Sequence, residues 1–178
     1  AEIDADELDF VDVYSCFPSA VQVAAAELGL SIEDTLTVTG GLTFAGGPHN
    51  NYVMHSIATM AECLRKQPGT KGLVTANGGY LSMHAFGVYS TQPPEHGFQH
   101  ADLQAEVNRR PGREAAIGFD GEVTTESYSV VYGDLGPRVG HVTCLTSDGR
   151  RTWATATDQQ VLAAMTQEEF CGKRARID

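Results

Sequence analysis

Apolar residues in the first half of this chain follow two different spacings. Over residues 20–30 and 51–66 they recur every three or four positions, which predicts two helices that each bury one face. Residues 10–14, 35–39 and 71–76 are instead short runs of β-branched, aromatic and other apolar residues, which predict strands. Strands that alternate with helices in this way are typical of an α/β fold.

A glycine turn follows the third predicted strand. Asn77, Gly78 and Gly79 form this tight turn, and residues 81–90 are predicted to return first as a helical turn and then as a strand. The same order of segments is also an ordinary signal of a β-hairpin. Spacing alone leaves both interpretations open.

Beyond Pro93 and Pro94 the pattern changes. The following residues are polar, with a short helix predicted over 101–109, and are interpreted as a linker. After the linker, apolar and polar residues alternate in short runs, which predicts small antiparallel strands closing into a barrel, with one more short helix over 159–165. The predicted parts are an α/β segment, a linker and a small β-barrel domain, at residues 1–94, 95–114 and 115–178.

Composition narrows the class of protein. The chain has 178 residues, of which 42% are hydrophobic and 20% charged, as in an ordinary soluble globular protein. Its longest apolar runs fall far short of a bilayer span, and no basic segment followed by an apolar one stands at the start, so we expect a cytoplasmic protein with no membrane partner. The four cysteines lack CxxC or metal-knuckle spacing, which favours free thiols over a metal site or disulfides.

The charge balance argues against a nucleic-acid partner. The net charge is −11, from 12 Lys and Arg against 23 Asp and Glu, whereas nucleic-acid binding needs a basic face for the phosphates. Acidic residues are dense at the start, where residues 1–9 are predicted to be the end of an acidic helix or a linker. The local basic clusters at 109–113 and 173–176 are interpreted as solvated surface.

A polar, glycine-rich loop leads into the second predicted helix. Gly46 and Gly47 allow backbone conformations closed to other residues, and Asn50 or Asn51 is a good helix N-cap. The helix start would present free N–H groups and a positive dipole end, which suit an oxyanion or a thioester carbonyl. The alternative is an ordinary glycine turn between a strand and a helix.

Two further side chains are candidates for this site. Cys16 is predicted to lie between the end of a strand and the start of a helix, where the helix dipole favours a thiolate; a small buried apolar role is the alternative. His55 lies one helical turn beyond Asn51, so it is predicted to line a cavity or to be a hydrogen-bonded core histidine.

These segments, in this order, resemble the C-terminal half of the thiolase superfamily, and most closely its thiolase-like and sterol-carrier-protein-type acetyl-CoA acetyltransferase branch. The resemblance covers about the first ninety residues. Tyr14-Ser15-Cys16-Phe17 stands where many thiolases have Asn-Glu-Ala-Phe and the sterol-carrier type has His-Asp-Cys-Phe. In that second motif the cysteine is the acid/base thiol, so the resemblance implies this role for Cys16.

Two positions depart from the family pattern. Gly46-Gly47-Pro48 stands where the family has Gly-His-Pro, so Gly47 replaces a histidine, and His49 is the candidate substitute. Asn77-Gly78-Gly79 stands where thiolases have Cys-x-Gly, so the second acid/base cysteine is absent, although the Asn77 amide can donate to an oxyanion.

The resemblance implies a set of site residues and partners. The predicted catalytic residues are Cys16, His49 and Asn77, and the predicted substrate-binding residues are Gly46, Gly47, Asn50, His55, Gly78, Gly79 and His84. Acyl-CoA is the implied substrate, no cofactor or metal is expected to be tightly bound, and a homodimer is expected. The family's nucleophilic cysteine belongs to an N-terminal thiolase half, so this chain is expected to be a piece of a longer polypeptide and inactive alone. Residues 115–178 resemble the oligonucleotide-binding-fold-like domain appended to thiolase-like proteins.

Two classes of function therefore stand side by side. In the first, the complete protein is an acyl-CoA acyltransferase of the acetyl-CoA acetyltransferase type. In the second, the loss of the family's histidine and cysteine leaves a non-catalytic acyl-CoA or lipid-binding protein, or a partner subunit. A structural domain with no small-molecule site is the remaining alternative.

Overall fold

The computed structural model describes residues 3–178, so the first two residues of the predicted acidic segment lie outside the described residues. The chain divides into two compact units, the first ending at Ala101 and the second spanning Asp102–Asp178. This division falls inside the predicted linker at 95–114. None of the helices in the described part of the chain is long and apolar enough to cross a membrane.

The first unit is a small mixed sheet with helices. Its strands and helices are β1 (Phe10–Asp12), α1 (Pro18–Leu28), α2 (Gly41–Ala45), α3 (Tyr52–Lys66), β2 (Lys71–Gly78) and β3 (Met83–Ser90), with 3-10 turns at Ala5–Glu7 and His49–Asn51. The strand order is β1-β2-β3, with β1 parallel and β3 antiparallel to β2. The predicted α/β fold with a mixed sheet is confirmed.

The core of this unit follows the predicted helix faces. Met60 and Leu64 of α3 are buried together with Val74 of β2. The helix lies so close to the sheet at Gly72 that an added Cβ would force the Met60 side chain to shift. A second buried cluster joins Val13 after β1 to α1 and to the segment that contains Leu36.

The strand predicted over residues 35–39 is wrong. Leu36 accepts one backbone hydrogen bond, from the amide of Val13, at 2.8 Å. The amides of Val38 and Thr39 instead donate to the side chain of Asp12, at 3.0 and 3.1 Å. Because a carboxylate takes the donors that a strand ladder would use, the segment stays irregular. The short helix α2 that follows it was not predicted.

The predicted turn at 77–79 belongs to a β-hairpin. β2 continues to Gly78 and β3 begins at Met83, in register from Lys71↔Ser90 to Gly78↔Met83. Gly79 and Leu81 in the connection have φ of 58° and 61°, so the predicted helical turn over residue 81 does not form. The hairpin interpretation is therefore confirmed.

Strand β3 is an edge of this sheet among residues 3–178. Its apolar side chains are largely exposed: Met83, Phe86 and Val88 keep 63%, 60% and 42% of their surface in solvent. The central strand β2, in contrast, is buried over residues 72–75.

The second unit is an antiparallel sheet with one packed helix. Its elements are α4 (Gln104–Val107), β4 (Gly121–Gly133), β5 (Gly136–Thr146), β6 (Arg151–Ala156), α5 (Gln159–Gln167) and β7 (Arg174–Ile177). The strand order is β6-β5-β4-β7, and the antiparallel strands and the helix α5 confirm the prediction. Two register shifts curl the long strand β4, and within the described residues β6 and β7 are not hydrogen-bonded to each other.

Packing of the helix α5, its N-cap and one ion pair stabilise this unit. Leu162 and Met165 of α5 are buried against β5, and the side chain of Asp158 caps the helix by accepting from two backbone amides at 2.9 and 3.0 Å. The guanidinium of Arg151 donates two hydrogen bonds to the carboxylate of Glu126, at 2.7 and 2.8 Å. This guanidinium lowers the pKa of Glu126 below its ordinary value.

Candidate functional site

The chain continues alongside β2 after the ladder of β1 has ended. β1 pairs with β2 as far as Asp12↔Val74. Beyond it, the amide of Tyr14 donates to the hydroxyl of Thr75 at 2.9 Å, and the thiol of Cys16 donates to Oδ1 of Asn77 at 3.2 Å. Since Cys16 stands just before the first turn of α1, the end of β2 and the start of that helix meet at these two side chains.

A cleft of about 240 Å³ opens beside this pair. Its lining comes from the segment after β1, the end of β2, the turn before α3 and the first turn of α3. It consists of Tyr14, His49, Asn50, Tyr52, Val53, Ala76 and Asn77. The structure therefore brings His49, Asn50 and Asn77 to one cleft, and Cys16 to Asn77. The catalytic roles of these residues stay predictions.

The loop that carries His49 is built on left-handed backbone and side-chain caps. Gly41 begins α2 with a φ of 72°, and the amide of Leu42 donates to the hydroxyl of Ser15 at 3.0 Å. Gly46 ends α2 with a φ of 82°. His49 itself has a φ of 50°, and its amide donates to the carbonyl of Gly47 at 2.8 Å, which closes a tight turn directly before the cleft.

The other predicted binding residues lie elsewhere in this unit. His55 is exposed on α3, so its interpretation as a hydrogen-bonded core histidine is wrong, and it does not line the cleft. His84 on β3 is also exposed; its Nε2 is hydrogen-bonded to the carbonyl of Leu81 at 2.9 Å. Gly78 and Gly79 serve the hairpin, as the last residue of β2 and the first of its turn.

Asn51 is the N-cap residue of α3, as predicted, but its side chain does not cap the helix. Asn51 occupies the residue before α3, yet its side chain makes no capping hydrogen bond, because a 3-10 turn at His49–Asn51 leads straight into the helix. Asn50 instead lines the cleft. The free N–H groups at the start of α3 therefore receive no hydrogen bond from the side chain of Asn51.

Sequence reasoning missed Asp12, the most densely hydrogen-bonded side chain near the cleft. Asp12 is fully buried at the end of β1, and six donor groups lie within hydrogen-bond distance of its carboxylate. The signal was available, since a carboxylate inside the apolar run Phe-Val-Asp-Val must find donors when the strand is buried. Its partners were not predictable because they lie 25 to 44 positions further along the chain.

Two tyrosines also shape the cleft and were not predicted. The rings of Tyr14 and Tyr52 meet edge to face, with centroids 5.2 Å apart and planes at 89°. Burial, followed by the proximity of Cys16 and Tyr52, raises the pKa of Tyr14 above its ordinary value of 10.0. At neutral pH the Tyr14 hydroxyl is therefore a proton-bearing donor.

No group of three or more His, Cys, Asp or Glu side chains in residues 3–178 is arranged to hold a metal ion. A larger cavity of about 540 Å³ lies between β1 and the segment from Leu30 to Val38, with Cys63 at its side. It contains none of the predicted site residues, so the smaller cleft is the candidate site.

Comparisons with known proteins agree with the resemblance in the motifs. Residues 102–178 match the family described as the thiolase-like protein type 1 additional C-terminal domain. The crystal structure of a monomeric SCP2-thiolase-like protein type 1 from Mycobacterium smegmatis is 36% identical and superposes with a TM-score of 0.87. The match covers 97% of this chain but 39% of that one. Among curated proteins, no match was found. The domain match and the structural likeness together support a thiolase-superfamily protein.

Proposed function

We propose that this chain supplies one wall of an acyl-CoA acyltransferase site of the thiolase kind. The observation that carries the proposal is the hydrogen bond from the thiol of Cys16 to Asn77, at a cleft that His49 and Asn50 also line. Three distant turns of the sequence thus meet where a thioester would be handled. The chain spans 39% of the length of the solved relative, so the remainder of the site is proposed to come from an N-terminal thiolase half.

Each side chain has a definite part in this proposal. Because Oδ1 of Asn77 accepts the hydrogen bond from the Cys16 thiol, the amide nitrogen of Asn77 is left to donate to a carbonyl oxygen of the acyl group. Cys16 gives a proton to the carbanion that forms when a carbon–carbon bond of the acyl chain breaks, or removes that proton in the reverse condensation. His49 takes the proton of a cysteine nucleophile supplied by the other half.

The size of the cleft supports a shared site. Small-molecule sites usually enclose about 300–1,000 Å³. The cleft formed by this chain, about 240 Å³, is smaller than that. An acyl-CoA thioester therefore needs further walls, and the proposed N-terminal half provides them.

The second candidate function is acyl-CoA or lipid binding without catalysis. It is favoured by Gly47, which places no imidazole where the family has one, and by Asn77, whose amide cannot take up a proton as a thiolate does. In this version the same cleft holds the thioester, and no bond is made or broken.

Thiolytic cleavage of a β-ketoacyl-CoA by the full-length polypeptide distinguishes these functions. Cys16→Ser is expected to lower kcat by about 10²–10⁴-fold, the usual contribution of a general acid or base, with acyl-CoA affinity retained. Cys171→Ser is the matched control, since Cys171 is an exposed thiol of the second unit. A parent that binds acyl-CoA without turnover would favour the binding function. A parent that does not bind it would leave the alternative of a structural domain.

The oligomeric state is a separate question. The thiolase resemblance predicts a homodimer, whereas the solved relative from Mycobacterium smegmatis is described as monomeric. Light scattering on the full-length polypeptide decides between the two, and a single protomer mass would overturn the predicted dimer.

A further inference from the structure

The buried carboxylate of Asp12 lies at the base of the loop formed by residues 40–51, which carries His49 and Asn50. One carboxylate oxygen, Oδ2, accepts the amides of Val38 and Thr39 just before this loop. The other, Oδ1, accepts the hydroxyls of two α3 residues, Tyr52 at 3.1 Å and Ser56 at 2.6 Å. A single side chain therefore ties the entry of loop 40–51 to its exit.

Two hydroxyl groups complete this closure. The hydroxyls of Thr39 and Tyr52 are hydrogen-bonded to each other at 2.7 Å, across the base of the loop. Oγ1 of Thr39 also lies 2.9 Å from Oδ2 of Asp12, so its single proton goes either to Tyr52 or to Asp12, and it accepts from the amide of Gly41, the first residue of α2. The anchor thus reaches into the loop on the entry side and into α3 on the exit side.

The same carboxylate also lies next to the other half of the site. Asp12 is the last residue of β1 and is paired with Val74 of β2, the strand that ends with Asn77 and Gly78. Cys16 follows Asp12 by four positions and is bonded to Asn77. Asp12 therefore contacts both ends of loop 40–51 and also belongs to the pair of strands after which Cys16 and Asn77 are placed.

We propose that Asp12 is a positioning residue, which fixes His49 and Asn50 relative to Cys16 and Asn77. The geometric part of the proposal concerns loop 40–51 alone. Its consequence for acyl-CoA rests on the proposed function.

Replacing the carboxylate by an amide of the same shape tests this directly. The amides of Val38 and Thr39 can only donate, so in Asp12→Asn the new oxygen must face them and the new NH₂ group must face Tyr52 and Ser56. The two hydroxyls then have to turn round and accept. Hydrogen bonds to a neutral oxygen are about half as strong as those to a carboxylate, so the base of the loop is weakened while its shape is kept.

Hydrogen exchange of the full-length polypeptide, read by mass spectrometry, measures the effect. In Asp12→Asn, amides of residues 40–51 are expected to exchange about tenfold faster, while those of β2 stay as in the parent. Asp34→Asn is the matched control, because Asp34 is an exposed aspartate of the same unit, and it is expected to change neither region. In the same samples, the affinity for acyl-CoA should fall in Asp12→Asn only.

Each outcome decides the proposal. Unchanged exchange in residues 40–51 overturns it, and so does an equal loss of protection in β2, which would make Asp12 a general stability residue. If Asp12→Asn does not fold, Tyr52→Phe takes its place, since it removes only the hydroxyl that bridges Asp12 and Thr39; unchanged exchange there overturns the proposal too. A parent that does not bind acyl-CoA refutes the proposed function, while the exchange result still judges Asp12.

Discussion

Gly41 offers a quantitative test of how loop 40–51 is held in place. Its φ is 72°, and a Cβ added there would stand 2.6 Å from Oγ of Ser15. That hydroxyl is already engaged, since it accepts the amide of Leu42 at 3.0 Å. Gly41→Ala therefore brings two separate costs, one in the backbone and one in the contact with Ser15.

The two costs are of similar size. Placing alanine in the left-handed region costs about 1 kcal/mol. The new methyl group must also push the Ser15 hydroxyl aside, which breaks a partly buried hydrogen bond worth about 1 kcal/mol. We expect Gly41→Ala to lower the free energy of unfolding of the first unit by about 2 kcal/mol in all.

Two controls separate these costs. Gly29 has a similar φ of 68° but no atom within 4 Å of an added Cβ, so Gly29→Ala should show the backbone cost alone, about 1 kcal/mol. In a Ser15→Ala background the nearest atom to the new methyl group is the Cβ of residue 15, at an ordinary contact distance of 3.5 Å. Gly41→Ala should then again cost about 1 kcal/mol, the backbone cost alone.

The assay is unfolding in urea, monitored by hydrogen exchange in peptides that cover β2. The amides of β2 report on the first unit by itself. Equal losses for Gly29→Ala and Gly41→Ala, or an unchanged cost of Gly41→Ala in the Ser15→Ala background, would refute the reasoning.

Three predictions concern the second unit, whose unfolding can be followed by the fluorescence of Trp153, the single tryptophan of the chain. Leu162→Ala should destabilise it by about 2–5 kcal/mol, because a fully buried side chain leaves a cavity; a loss below about 1 kcal/mol in urea would contradict this packing. Asp158→Ala should cost about 1 kcal/mol in the same titration, through the loss of the helix cap, and no change would contradict the cap. Arg151 lowers the pKa of Glu126. The ion pair therefore stabilises the folded state above pH 4.5, the ordinary pKa, and this stabilisation is lost as the pH falls through the lowered pKa. Glu126→Gln should thus be less stable than the parent at pH 7 and equal to it in strong acid, and a pH-independent difference would contradict the assignment.

The parts of the fold that were predicted correctly depend on neighbours in the sequence. The spacing of Met60 and Leu64 within one helix was enough to identify the buried face of α3, and Gly78-Gly79 marked the turn of the hairpin. The family motif around Cys16 indicated the meeting of distant turns, which the hydrogen bond to Asn77 now describes in atomic detail.

The parts that were missed depend on long-range competition for hydrogen bonds. Residues 35–39 have the composition of a strand, yet the carboxylate of Asp12 captures two of their amides. Nothing local to Thr39 or Tyr52 indicates that both will contact the same aspartate. The prediction of a core position for His55 was wrong because His55 lies one helical turn beyond Asn51, and both residues are exposed.

The exposed edge strand β3 has a practical consequence. Along β3 the outer backbone amides and carbonyls of residues 83–90 meet no further strand among residues 3–178, and Phe86 and Val88 stand beside them in water. Such an edge is a template onto which any extended polypeptide can add. Concentrated solutions of this chain are therefore expected to self-associate through β3.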